Sequence, residues 1–162
     1  MVDAEQFNLL KQGADSWNAW RQSNPTVEPD LNECELSNTD LSNANLSRTN
    51  LSGSNLSRAN LQGADLSWSS LVGANLNGTK LAGANLQGAD LSGANLMEAD
   101  LRGADLSQTH LLDTSFIGAN LCDANLRDAD THGTYFREAN LNGALITNEQ
   151  INAARSPDEL PS

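Results

Sequence analysis

Four residues have the types for metal or acid–base chemistry: Asp90, His110, Asp130 and His132. Imidazole and carboxylate together hold divalent metals. The separation Asp90–His110–Asp130 is twenty residues at each step, so such a site needs a chain that brings every twentieth residue side by side. Serine is abundant, but a nucleophile needs an oriented base and an oxyanion site in a sheltered cleft. Gly73 to Gly78-Thr79-Lys80 has the spacing of a phosphate-binding loop, with Thr and Lys in the wrong order and no helix predicted to follow. Asn45-Leu46-Ser47, Asn50-Leu51-Ser52 and Asn55-Leu56-Ser57 read as glycosylation sequons. Each of these matches recurs at a multiple of five residues, and that period explains them better than chemistry does.

The element that must position all of them is a leucine at every fifth residue from Leu31 to Ile146. Of 24 such positions twenty are Leu; the others are Phe116, Thr131, Phe136 and Ile146. Two residues before each stands a small residue, Ala, Ser, Thr or Cys, except for Pro29 ahead of the first. Asn or Asp mostly stands between. A step of five turns an α-helix by roughly 140°, which scatters the leucines around it. On a long strand an odd step sends them to opposite faces. The small residue and the leucine are two apart, so both point inward on a short extended segment while Asn or Asp points out. The last two residues of each unit must then turn the chain. Gly fills the second of them in about half the units (Gly53, Gly63, Gly73, Gly83), where it supplies a positive φ without steric cost. Arg48, Arg58, Trp68, Glu98, Gln108 and Glu138 occupy the same place, and these corners are expected to use a turn without positive φ. Four turns close a coil of twenty residues, and coils stack at the spacing of paired strands, roughly 4.8 Å.

The repeat A-[ND]-L-x-x, as in Ala84-Asn85-Leu86-Gln87-Gly88, closely resembles that of the pentapeptide-repeat proteins. The resemblance covers residues 29–148 and implies an all-β solenoid, a right-handed quadrilateral β-helix of about six twenty-residue coils. Residues 1–28 are expected to form an N-terminal helical cap, 29–148 the β-helix, and 149–162 a short helix and mobile tail. Leu61, Leu81 and Leu101 fall in one interior file, and Phe116 and Phe136 stack in another. The larger Phe136 is expected to fill volume given up by Thr131. Phe7 and Leu10 share one helical face, a stop follows at Gly13, and Trp17 and Trp20 lie together on a second helix ended by Asn24-Pro25. These four apolar side chains suit covering the open end of a β-helix, whose strand edges are otherwise unpaired. The run Trp17-Asn18-Ala19-Trp20-Arg21 before Pro29-Asp30-Leu31 resembles the cap of some family members from photosynthetic bacteria. Asp3 with Gln6, and Thr147 with Gln150, have capping-box spacing.

The chain has 162 residues, 38% hydrophobic and 4% aromatic, which is thin for an ordinary globular core. A solenoid needs only one apolar file per face, so the content suffices. Net charge is −12, spread along the chain. That disfavours binding to phosphates, which needs clustered Lys and Arg, and adhesion to anionic membranes. No run of residues is long and apolar enough for a membrane span. Cys34 lies inward in the first coil and Cys122 outward in the fifth, beyond disulfide reach. With no signal-peptide pattern at Met1-Val2-Asp3-Ala4-Glu5, the expected compartment is the cytoplasm.

With an unbroken prism and no cleft, neither catalysis, a cofactor nor a metal is expected. Function is then expected at the surface, through an unidentified protein partner and from a monomer. Val72, Met97, Leu112 and Ile117 interrupt a polar exterior on two adjacent faces and form the expected docking patch, with Trp68 and Tyr135 adding exposed aromatic surface elsewhere. The alternative comes from the resemblance: some family members imitate DNA and bind DNA gyrase. Asp65 and Asp105 in one column, with Asp90 and Asp130 in another, are its candidate carboxylates. Arg48, Arg58, Lys80, Arg102, Arg127 and Arg137 interrupt every face.

Overall fold

A computed structural model describes residues 4–155 of the chain. From Asp30↔Asn50 to Asn125↔Leu145, each Asn/Asp position bridges in parallel to the residue twenty further on. The extended segments shrink to single bridge residues, with a turn between each pair. The bridged residues, Asp30 to Leu145, thus wind into about six four-sided coils, and the sixth gives way to a helix at Asn148.

A complete accounting of backbone donors explains the five-residue unit. The Leu N–H donates to the next coil, as from Leu81 to the Asp100 carbonyl at 2.7 Å. The corner N–H does the same, as from Gly83 to Arg102 at 2.9 Å. The Asn/Asp N–H donates to the preceding coil, as from Asn85 to Ala64 at 2.9 Å, and the small residue closes its own turn, as from Ala84 to Leu81 at 3.0 Å. One donor per unit remains, on the residue after Leu. The Asn/Asp side chain supplies its acceptor: Ser52 N–H reaches Asn50 Oδ1 at 3.1 Å, and Ser107 N–H reaches Asp105 Oδ1 at 2.9 Å. An exposed residue is therefore fixed by a backbone need, and Asn adds a donor that ties coils together, as Asn60 Nδ2 to Asp40 Oδ1 at 3.0 Å.

The corners correct one expectation. Arg48, Arg58, Trp68, Glu98, Gln108 and Glu138 all take positive φ, between 53° and 60°, like the glycines. Left-handed backbone costs a side-chain residue roughly 1–2 kcal/mol. The ladder imposes it regardless. Arg58 N–H donates to Asn77 at 2.9 Å, and a corner of another shape would break that bond and shift the register of its neighbours.

Inside, Leu61, Leu81 and Leu101 are fully buried, as is Phe116. Phe136 is partly buried and stacks on Phe116 with ring centroids 5.6 Å apart and planes 9° apart. Buried hydroxyls at the small position are satisfied by leucine carbonyls, as Ser54 Oγ to Leu31 at 2.7 Å and Thr114 Oγ1 to Leu91 at 2.7 Å. Thr131 also has a polar role: its Oγ1 donates to the Gln150 carbonyl at 2.7 Å and anchors the last helix.

Helix α1 (Ala4–Lys11) and helix α2 (Ala14–Ser23) lie over the first coil. Leu10 and Trp17 are fully buried there, Phe7 and Trp20 partly, and the two tryptophan rings stack at 5.2 Å. Polar side chains of α2 stand in for a preceding coil. Trp17 Nε1 donates to the Asn45 carbonyl at 2.7 Å, Asn18 Oδ1 accepts from Asn45 N–H at 2.7 Å, and Arg21 Nη2 donates to the Ser47 carbonyl at 2.9 Å. Burial lowers the Arg21 pKa against the pull of Asp65. Asn18 and Arg21 carry no hydrophobic signal, so periodicity alone could not reveal them. At the other end, α3 (Asn148–Ala153) starts with the Thr147–Gln150 capping box. Gln150 Nε2 also caps the carbonyls of Leu126 and Ala129. Asp3 and the tail from Asp158 lie outside the described residues.

Candidate functional site

The coil does bring Asp90, His110 and Asp130 together as successive bridge partners. One oxygen of each carboxylate is nevertheless committed within its own unit. Asp90 Oδ1 accepts from both the N–H and Oγ of Ser92, at 3.0 and 2.6 Å. Asp130 Oδ1 meets His132 Nδ1 at 2.6 Å, and that hydrogen bond holds the Asp130 carboxyl below its ordinary range. The Asp130–His132 pair is broadly exposed, with side chains 51% and 74% accessible. Among the described residues no three His, Cys, Asp or Glu converge as metal ligands would. A convex ladder cannot close around an ion.

The other chemical candidates are consumed by the architecture. Thr79 is buried with its Oγ1 on the Leu56 carbonyl at 3.0 Å, and Lys80 is a bridge residue of the next unit. Asn45 Oδ1 accepts from Ser47 N–H and Oγ, while Asn55 Nδ2 donates to Glu35. Cys34 and Cys122 are both free thiols. Burial, helped by Asp30, pushes the Cys34 thiol up to about 11, which suppresses its nucleophilic form.

The apolar exterior is smaller than expected. Val72 is 40% exposed and Leu112 50% exposed, in one column two coils apart. Met97 on the adjoining face is half-buried. Ile117 is only 6% exposed and leaves the expected patch. In register it lies between Met97 and Arg137, and long neighbours on both sides cover an inner coil's side chain. Tyr135 is a second correction, at 5% exposed. The Arg155 guanidinium sits 5.2 Å from its ring centroid and pairs with Asp113 at 2.8 Å. A shallow groove runs between these elements, lined by Gly93, Asn95, Met97, Asp113, Ser115 and Tyr135. Ser115 is small between Asn95 and Tyr135 in the same column, which makes the dip. Trp68, 54% exposed, stands on a different edge and lies against Gly88.

No helix among the described residues is long and apolar enough to cross a membrane. Comparison with curated proteins finds no match. Among solved structures the chain is similar to Rfr23, a pentapeptide repeat protein from the cyanobacterium Cyanothece 51142, at 27% identity and a TM-score of 0.50 over 85% of this chain and 95% of that one. It is similar to a pentapeptide repeat protein from the Arabidopsis thaliana thylakoid lumen at 26% identity and a TM-score of 0.42, covering 74% and 73% of the two chains. It is also similar to QnrB1, a plasmid-mediated fluoroquinolone resistance protein, at 16% identity and a TM-score of 0.38, covering 76% and 82%. Pentapeptide repeat proteins such as Rfr23 form right-handed quadrilateral β-helices. Pentapeptide repeats themselves match in eight copies over residues 29–58, 59–97, 94–130 and 114–148, the whole of the coiled segment, and the chain belongs to the pentapeptide-repeat family.

Proposed function

We propose that this protein is a non-enzymatic interaction module, acting as a monomer in the cytoplasm, that docks a protein partner on the side of the prism carrying Val72, Leu112 and Met97. One observation carries the reading. Val72 and Leu112 are large apolar side chains left exposed in one column, whereas the other exposed ones, Trp68, Leu145 and Ile151, stand apart from it, and a groove with both apolar and polar walls lies alongside. Regular architecture accounts for neither, since Ser92 fills the same column position between them. Apolar surface in a polar rim suits protein docking. Two free thiols fit a reducing compartment.

The DNA-mimic reading stands second, because Arg48, Arg58, Lys80, Arg102, Arg127 and Arg137 interrupt the acidic faces and the Oδ1 atoms of Asp65 and Asp105 serve the ladder. Asp65 Oδ1 accepts from Ser67 N–H at 3.0 Å and Asn85 Nδ2 at 3.2 Å. Asp105 Oδ1 does the same for Ser107 and Asn125. Micromolar protein is therefore expected to leave gyrase supercoiling unaffected.

The test compares capture of proteins from a cell extract by the intact chain and by a Val72→Asp/Leu112→Asp variant. Both positions are exposed, so the circular dichroism spectrum and melting temperature should hold while partner capture is lost. Undiminished capture by a folded variant, or loss on Trp68→Ala instead, would move the site elsewhere.

A further inference from the structure

The sequence holds two Asn-Gly steps, Asn77-Gly78 and Asn142-Gly143. Both place Asn after an inward leucine and Gly at the corner, with similar φ of 64° and 72° at the glycines. Asn-Gly is the pair most open to spontaneous deamidation, because no Cβ obstructs the glycine nitrogen. That nitrogen gives up its proton and attacks the asparagine side-chain carbonyl carbon. A C–N bond forms, and the former side-chain nitrogen departs as ammonia. The resulting five-membered imide takes up water at either carbonyl, yielding Asp or isoaspartate.

The coil stack treats the two steps differently. Gly78 N–H donates to the Met97 carbonyl at 2.9 Å, and Asn77 Nδ2 donates to the same oxygen at 3.1 Å. Nucleophile and electrophile are thus both pinned to the next coil, and both residues are half-buried. Asn142 and Gly143 stand in the sixth coil, where no further coil lies on that face among the described residues. Among the described residues nothing accepts from Gly143 N–H or holds the Asn142 side chain, and both residues are exposed. The flanking Leu141 and Ala144 are only partly buried, whereas Leu121 and Ala124 one coil earlier are fully buried. Opening this corner therefore disrupts less packing than opening an inner one.

We propose that Asn142 is a deamidation site of the folded protein, and that coil stacking protects the chemically equivalent Asn77. Conversion to Asp places a carboxylate on a corner whose neighbour, Asp123, already lies against Gly143. Conversion to isoaspartate adds one backbone carbon to a five-residue unit and makes that corner a substrate for isoaspartyl carboxyl methylation.

The experiment ages the full-length folded protein in mildly alkaline buffer at physiological temperature and follows both steps by peptide mass mapping. Isoaspartyl carboxyl methylation reports the isomer. A second sample ages in concentrated urea. In the folded chain Asn142 should convert at least roughly tenfold faster than Asn77, since the reaction follows the open population of each corner. In urea the two should convert at matching rates. Equal rates in the folded chain, faster loss at Asn77, or no conversion of Asn142 while the urea sample converts both would overturn the proposal.

Discussion

Truncating Leu81 to Ala tests the interior assignment and the one-dimensional energetics of the coil together. Leu81 is fully buried and stands between Leu61 and Leu101, themselves fully buried. A Leu→Ala change at such a site removes transfer energy and leaves a cavity, at a cost of about 2–5 kcal/mol. The ladder bonds from Leu81 to Asp100 and from Ala84 to Leu81 hold its backbone in place, so collapse around the cavity is limited and about 3 kcal/mol is expected. For a chain of this size that lowers the melting temperature by about 6–12 °C. Leu141 occupies the same file in the last coil and is only partly buried, so Leu141→Ala should cost about 1 kcal/mol on the same scale. Urea unfolding of both variants beside the parent gives the difference directly. Leu81→Asp adds an unpaired buried charge worth several kcal/mol more, enough to approach the whole 5–15 kcal/mol stability of an ordinary domain. Equal costs for Leu81→Ala and Leu141→Ala, or an unchanged melting temperature for Leu81→Asp, would refute the inward file.

Two further outcomes are expected. Gly83→Ala places its Cβ in open space, so its cost should be only the left-handed backbone penalty, about 1 kcal/mol. Gly88→Ala has the same backbone but drives a methyl into the Trp68 ring, and should cost clearly more by urea unfolding; equal values would mean Trp68 does not rest there. Acid should destabilise the fold. Hydrogen bonds from Ser37 to Glu35, from Ser42 to Asp40, from Arg102 to Asp100 and from His132 to Asp130 all lower carboxyl pKa values in the native state. Their stabilisation is present above the ordinary values of 4.5 for Glu and 3.8 for Asp and is lost as pH falls through the lower native ones. A melting temperature that does not fall below pH 4 would show that the Asx bonds contribute nothing.

What the residues determine alone is the coil. The five-residue period puts Leu, the small residue and Asn/Asp at fixed places, and a backbone with five donors per unit has one economical way to satisfy them, so Leu81 inward and Asn85 outward follow from sequence. The capping box at Thr147 and the tryptophan pair of α2 are legible for the same reason: each is a local pattern. Tertiary structure decided what depends on neighbours twenty residues away. Arg58 and Trp68 accept left-handed φ because adjacent coils hold their N–H groups, which their own propensities would not predict. Ile117 and Tyr135 are covered while Leu112 is not, because cover comes from the coils above and below and, for Tyr135, from Arg155. Asn18 and Arg21 become edge caps only when α2 is laid across the first coil. His110 gains two aspartate neighbours from the winding, yet no site, because each carboxylate is already bonded within its own coil. Periodicity sets which way a side chain points; stacking sets what it meets there.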